Sequence, residues 1–145
     1  MQYEGRIFRP PSEADSLILQ STVGCSQNGC AFCSMYKEKK FHIRPLADVC
    51  ADVDEIAAGP WAHAFSRVFL ADGDALMRKT EEQLAIFSHI YARLPRCGRI
   101  TCYASPASIR AKTQDELEAL AAGGLNMVYM GLESGSDAVL SRMNK

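Results

Sequence analysis

The sequence predicts an α/β protein organised on a parallel sheet of about four βα units. Three observations lead there. Apolar runs such as Leu17-Ile18-Leu19, Val68-Phe69-Leu70 and Val128-Tyr129-Met130 are near-continuous, as strands buried on both faces are. Longer stretches between them carry apolar residues at the period of a helix. Strand and helix then alternate along the chain, so a parallel sheet with helices on both faces and right-handed crossovers is the expected architecture.

Residues 1–15 are polar, contain Pro10-Pro11 and are expected as an extended arm ahead of a single domain over 16–145. The first strand is placed at Leu17–Val23, with Gly24 giving the backbone room to turn. The basic stretch 37–44 that follows is expected as a solvated loop, as short charge runs usually are. Leu46, Val49, Cys50, Val53, Ile56 and Ala57 share one face of a helix over Leu46–Ala58, which Gly59-Pro60 stops. The second strand, Arg67–Leu70, leads into Asp72-Gly73-Asp74. After it a helix is expected to open on a capping box of Thr80 and Gln83 and to turn Leu84, Phe87, Tyr91 and Leu94 inward. Arg99–Ala104 is the third strand. Thr113 and Glu116 form another capping box, on a helix that faces Leu117, Leu120 and Ala121 to the core and ends at Gly123-Gly124. The fourth strand, Asn126–Leu132, runs into Glu133-Ser134-Gly135, and Ser136 is the expected cap of a last helix from Asp137. No glycine or proline stops that helix before Lys145, so the domain is expected to be cut within its fourth helix.

Composition narrows the function classes. With 48% hydrophobic and 23% charged residues the chain can build a core and is not a disordered segment. A net charge of −1 gives no general attraction to nucleic acid or membrane. No apolar run approaches the roughly 18 residues of a membrane span, and residues 1–16 lack a signal-peptide core, so a cytoplasmic protein with no membrane partner is expected. Six cysteines, three of them clustered, fit a metal site in a reducing compartment better than a disulfide scaffold.

The cluster is Cys25-Ser26-Gln27-Asn28-Gly29-Cys30-Ala31-Phe32-Cys33, on one loop at the C-terminal end of the first strand. A structural zinc site is normally closed by four ligands on two paired arms, and only one such arm exists here; His42 would have to complete it. Soft thiolates also suit iron–sulfur clusters, commonly held by four cysteines, so a cluster on three would leave one iron open to an outside ligand. Cys50 and Cys102 read as core residues, and His63 and His89 stand in no motif. In barrels of βα units the working groups gather at the C-terminal ends of the strands, where the cysteine loop, Asp72-Gly73-Asp74 and Glu133-Ser134-Gly135 would share one rim.

These residues resemble the radical S-adenosylmethionine family, whose members carry a C-x3-C-x2-C loop after the first strand of a partial (β/α)6 TIM-like barrel. The first interval here is longer by one residue; the second fits, and Phe32 is the expected aromatic before the last cysteine. Asp72-Gly73-Asp74 stands where the family has Gly-Gly-Glu, which contacts the methionine amine of the cosubstrate. Glu133 and Ser134 stand in its strand-four segment, near the ribose or the methionine carboxylate. The resemblance implies that Cys25, Cys30 and Cys33 hold a [4Fe–4S] cluster and that Phe32, Asp72, Gly73, Asp74, Glu133 and Ser134 contribute to binding S-adenosylmethionine. It further implies reductive cleavage of that cosubstrate to a 5′-deoxyadenosyl radical acting on a substrate the sequence leaves undetermined, with an electron donor such as flavodoxin or ferredoxin. Since the family's core has about six βα units, the open sheet is expected to self-associate. Two other classes use the same cysteines: an electron-transfer or cluster-carrier protein, and a zinc-stabilised binding domain.

Overall fold

In the computed structural model, which describes residues 1–145, Leu17–Gln20 (β1) and Thr22–Val23 (β2) precede the cysteine loop, and His42–Ile43 (β3) and Leu46–Ala58 (α1) follow it. Then come Arg67–Ala71 (β4), Thr80–Arg93 (α2), Arg99–Ala104 (β5), Pro106–Arg110 (α3), Gln114–Ala122 (α4), Leu125–Met130 (β6) and Asp137–Met143 (α5). The long strands form one parallel sheet in the order β1-β4-β5-β6, so consecutive βα units lie side by side. No helix is long and apolar enough to cross a membrane.

One face of this sheet carries the core. Leu17 and Leu19, Val68 and Leu70, and Ile100 and Cys102 alternate onto it, and Val49 and Val53 of α1, Ile86, Phe87 and Ile90 of α2 and Leu120 of α4 close over it. Each fully buried aliphatic or aromatic side chain here contributes about 1.5–3 kcal/mol. The expected helices on both faces are therefore not found. The other face carries Gln20, Phe69, Thr101, Tyr103 and Tyr129, and the N-terminal arm crosses it. The Tyr3 hydroxyl donates to the Ile18 carbonyl (2.8 Å), Glu4 N–H donates to Gln20 Oε1 (2.9 Å), and Ser12 and buried Glu13 bond the Tyr129 hydroxyl at 2.8 and 2.6 Å. Thus the arm bridges the two edge strands.

Local expectations fail where a side chain has a partner elsewhere. The first strand breaks at Ser21, and Thr22–Val23 pair with His42–Ile43 in a separate antiparallel ribbon. Thr80 is inside α2 rather than capping it, because its hydroxyl donates to Glu116 of α4 (2.7 Å) while Gln83 reaches the Leu76 and Arg78 carbonyls. Ile86 and Ile90, not Leu84 and Tyr91, are the fully buried residues of that helix beside Phe87. In α4 only Leu120 is buried and Ala121 is exposed, since β6 is the sheet's open edge; the capping box of Thr113 and Glu116 is present as expected. Ser136 precedes α5 without a side-chain cap, and Asn144, in the left-handed conformation (φ 53°), ends it.

Candidate cluster and cosubstrate site

The chain leaves the sheet at Ser21, and a buried polar network holds that exit. Arg44 Nη1 donates to the Gln20 carbonyl and to Asp52 Oδ2, both at 2.7 Å. Arg78, 1% exposed, donates to the Ser21 carbonyl (2.8 Å), to the Arg44 carbonyl and to Glu82 (2.7 Å). Carbonyls stranded between sheet and loop are thereby satisfied, which matters because an unmet buried acceptor costs about 1–3 kcal/mol. The 37–44 stretch accordingly departs from the solvated loop expected of it: Arg44 turns into this network, and Lys39, with a 7% exposed side chain, meets Asp72 at 2.7 Å.

The cysteine loop is then fastened on three sides. Gly24, at φ +75°, donates its N–H to Asp72 Oδ2 (2.9 Å), and its carbonyl accepts from Gly73 N–H (3.0 Å). Asn28 Nδ2 donates to the Tyr36 and Lys39 carbonyls at 2.6 and 3.2 Å, closing the loop on itself. Asn144 donates to the Gly29 carbonyl (2.9 Å), and Ala31 N–H to the Met143 carbonyl (2.8 Å), docking the loop on the end of α5.

At the centre is a cavity of about 220 Å³ at the C-terminal ends of the strands, lined by Cys25, Cys30 and Cys33 together with Phe32, Gly73 and Glu133. Cys30 is buried, its Sγ 3.5 Å from the Gln27 carbonyl, and Cys25 and Cys33 are half-buried; all six cysteines are free thiols. Burial, with the nearby Asp74 and the other two cysteines, pushes the Cys25 thiol up. Cys50 and Cys97, half-buried, and Cys102, buried and pushed up to about 12 by burial, lie away from this cavity. His42 bonds the Lys40 carbonyl and pairs with Glu4 at 3.4 Å, so it does not join the three thiols.

Asp72-Gly73-Asp74 does something other than present two carboxylates to this cavity. Asp72, fully buried, takes Gln20 Nε2 (2.9 Å), Gly24 N–H and Lys39 Nζ on one oxygen. Asp74, also fully buried, accepts from Ser26 Oγ and from the N–H and Oγ of Ser105 at 3.0 and 2.8 Å. These bonds fasten the cysteine loop and the end of β5 to the turn, with the other Asp72 oxygen left without a partner, and Gly73 is the residue that lines the cavity. A Cβ on Gly73 would lie 2.8 Å from both Cys25 Cβ and the Tyr36 ring, so only glycine lets these three segments meet.

Glu133, at φ 62°, lines the cavity and faces Lys145 Nζ at 3.4 Å, and the same ammonium stands 5.9 Å from the exposed Phe32 ring. Ser134 lies outside it: its Oγ accepts from Ser136 N–H (3.1 Å), and it lines a neighbouring cleft with Arg110 and Leu140. Three tyrosines in the wall escaped sequence reasoning. Tyr103 and Tyr129 are register partners on β5 and β6 with ring centroids 6.1 Å apart. Tyr36 follows the last cysteine by three residues, and its buried hydroxyl has no hydrogen-bond partner. Period-two alternation into the inner face could have revealed the first two.

The donor set fits a cluster. Three thiols and no histidine line the cavity, and soft thiolates are the ligands that iron–sulfur groups take. The buried, unpartnered Tyr36 hydroxyl among the residues lining this cavity is what a site for a further polar group presents. The family model described as the Radical SAM superfamily matches residues 19–145. The chain belongs to the radical SAM superfamily. The matched span runs from β1 to Lys145 and takes in every residue assigned above to the cavity. Radical SAM proteins are in general enzymes that work with S-adenosylmethionine and a [4Fe–4S] cluster, and the mixed α/β fold with its four-stranded parallel sheet agrees with their partial barrel. No curated protein and no solved structure matches this chain.

Proposed function

We propose that this radical SAM chain provides the cluster and cosubstrate site of an enzyme, with Cys25, Cys30 and Cys33 holding a [4Fe–4S] cluster. The observation that carries the reading is that these three thiols, and no other cysteine, line one cavity at the strand ends with Gly73. When bound, such a cluster supplies the electron that cleaves S-adenosylmethionine to methionine and a 5′-deoxyadenosyl radical, which takes a hydrogen atom from the substrate.

The chain's own share is binding, orientation and exclusion of water. The Gly73 backbone borders the cavity beside Cys25, and its lack of a side chain lets the cysteine loop and Tyr36 close on that strand end. Asp72 and Asp74 act at one remove, by holding that backbone and the cysteine loop together, rather than by meeting an ammonium themselves. Glu133 offers a carboxylate suited to a ribose diol or an ammonium, Phe32 an exposed ring face suited to a nucleobase, and Tyr103 and Tyr129 a wall against solvent. Ser134 contributes through the turn that aims Glu133. The same proposal includes a flavodoxin- or ferredoxin-like donor, and a second copy pairing along the open edge of β6.

Anaerobic reconstitution followed by electron paramagnetic resonance of the reduced protein tests the reading. A [4Fe–4S] signal that changes on adding S-adenosylmethionine is expected, because the open iron would take the cosubstrate as a ligand. A signal indifferent to it would favour a cluster carrier, and zinc with no iron would leave only the binding domain.

A further inference from the structure

Tyr36 is 4% exposed and lines the same cavity as the three cysteines, yet its hydroxyl makes no hydrogen bond within the chain. Its ring has little freedom to carry that hydroxyl elsewhere. Phe8 packs edge-on against it, with centroids 5.5 Å apart and planes at 83°, and Lys39 Nζ lies 5.6 Å from the ring centroid while engaged with Asp72. On the remaining side, Tyr36 Cε2 and Cys25 Cβ are each 2.8 Å from the point where a Gly73 Cβ would stand, which sets one edge of the phenol beside the first cysteine. Two polar neighbours are engaged elsewhere. Asn28 bonds the Tyr36 carbonyl rather than its hydroxyl, and Ser105 bonds Asp74. Asp72 keeps one oxygen without a partner, and no hydrogen bond joins the phenol to it.

A donor buried without an acceptor is rare in a native structure unless something outside the chain completes it. We infer that the Tyr36 hydroxyl donates a hydrogen bond to the sulfur shell of the cluster held by Cys25, Cys30 and Cys33, and that it sets the reduction potential of that cluster. The inference rests on the cluster reading above. Thiolate and sulfide sulfurs are the acceptors that a group on these cysteines would bring into the cavity. Hydrogen bonds to those sulfurs are among the factors that fix the potential of an iron–sulfur centre. A donor favours the reduced cluster, which carries the extra negative charge, so Tyr36 raises the potential and makes the centre easier to reduce. Tyr36 is thus a tuning residue that touches the cofactor without exchanging a proton or an electron.

The test uses the whole chain, reconstituted anaerobically as wild type, as Tyr36→Phe and with 3-fluorotyrosine at position 36. Iron and sulfide per chain are measured first, then the midpoint potential by titration monitored through electron paramagnetic resonance. The expected result is equal iron in all three, a more negative potential in Tyr36→Phe, and a more positive one with fluorotyrosine, a stronger donor of nearly the same shape. Equal potentials at equal iron would overturn the inference and leave the cluster reading standing. Failure of the wild type to take up iron would instead remove the cluster reading itself. Should Tyr36→Phe alone fail to assemble, the fluorotyrosine comparison decides: a positive shift supports the hydrogen bond and an unchanged potential refutes it.

Discussion

Two residue types define the site, cysteine and glycine, and each makes a distinct prediction. Replacing Cys25, Cys30 or Cys33 with alanine is expected to abolish iron uptake, whereas Cys50→Ala, Cys97→Ala and Cys102→Ala should keep it, since only the first three line the cavity. Iron per chain after reconstitution checks this, and equal loss in both sets would place the site elsewhere. Gly73→Ala adds a single methyl carbon where Cys25 Cβ and the Tyr36 ring already stand at 2.8 Å. Neither neighbour is the free end of a flexible chain, so the cysteine loop or the aromatic ring must move. A cost of about 1–3 kcal/mol is expected, as for overpacking a filled site. Thermal unfolding should record it, and iron uptake should fall because the displaced loop carries the first ligand.

At the scale of elements, legibility followed whether a signal was local. The helix Leu46–Ala58 and the strand Arg99–Ala104 occur with the bounds expected, since apolar period and the Gly59-Pro60 stop are properties of neighbouring residues. Thr113 and Glu116 form their capping box; Thr113→Ala is expected to cost about 1 kcal/mol and lower the melting temperature by a few degrees without altering iron uptake. Thr80 and Gln83 carry the same spacing and do not form one, because Glu116 of another helix competes for the hydroxyl. The short helix Pro106–Arg110, capped by Ser105 and Ser108, was illegible for a related reason: its N-cap also serves Asp74, and no apolar period marks so short a segment. The site divides in the same way. The cysteine loop was plain in the sequence, but the inward turn of Asp72 and Asp74 depends on Lys39, Gln20 and Ser105, partners that only the fold brings near.

For the whole molecule, the arm is where charge and stability meet. Glu13 is buried; burial raises its carboxyl pKa, but hydrogen bonds from Ser16 and Tyr129 and the Arg99 guanidinium outweigh that and hold it below the ordinary carboxylate range. A carboxyl depressed in the folded state contributes stability that is full above the unfolded value, about 4.3, and is lost as the pH falls through the lower folded one. Wild type should therefore be more stable than Glu13→Gln near neutral pH, with the difference shrinking as the pH drops below about 4. Unfolding curves for both proteins across that range check it, and a pH-independent gap would show that the carboxylate charge is irrelevant.

The arm also bears on the order in which the protein can be made. Ser12 and Glu13 bond a tyrosine more than a hundred residues further along the chain, so loop-closure entropy opposes those contacts until β6 is in place. Tyr3 and Glu4 can rest on β1 only 15 and 16 residues away, whereas the tyrosine that Ser12 and Glu13 bond is missing until β6 has been made. The arm's far end is a latch expected to close after the sheet it crosses, so that the Ser12 and Glu13 contacts slow unfolding more than they speed folding.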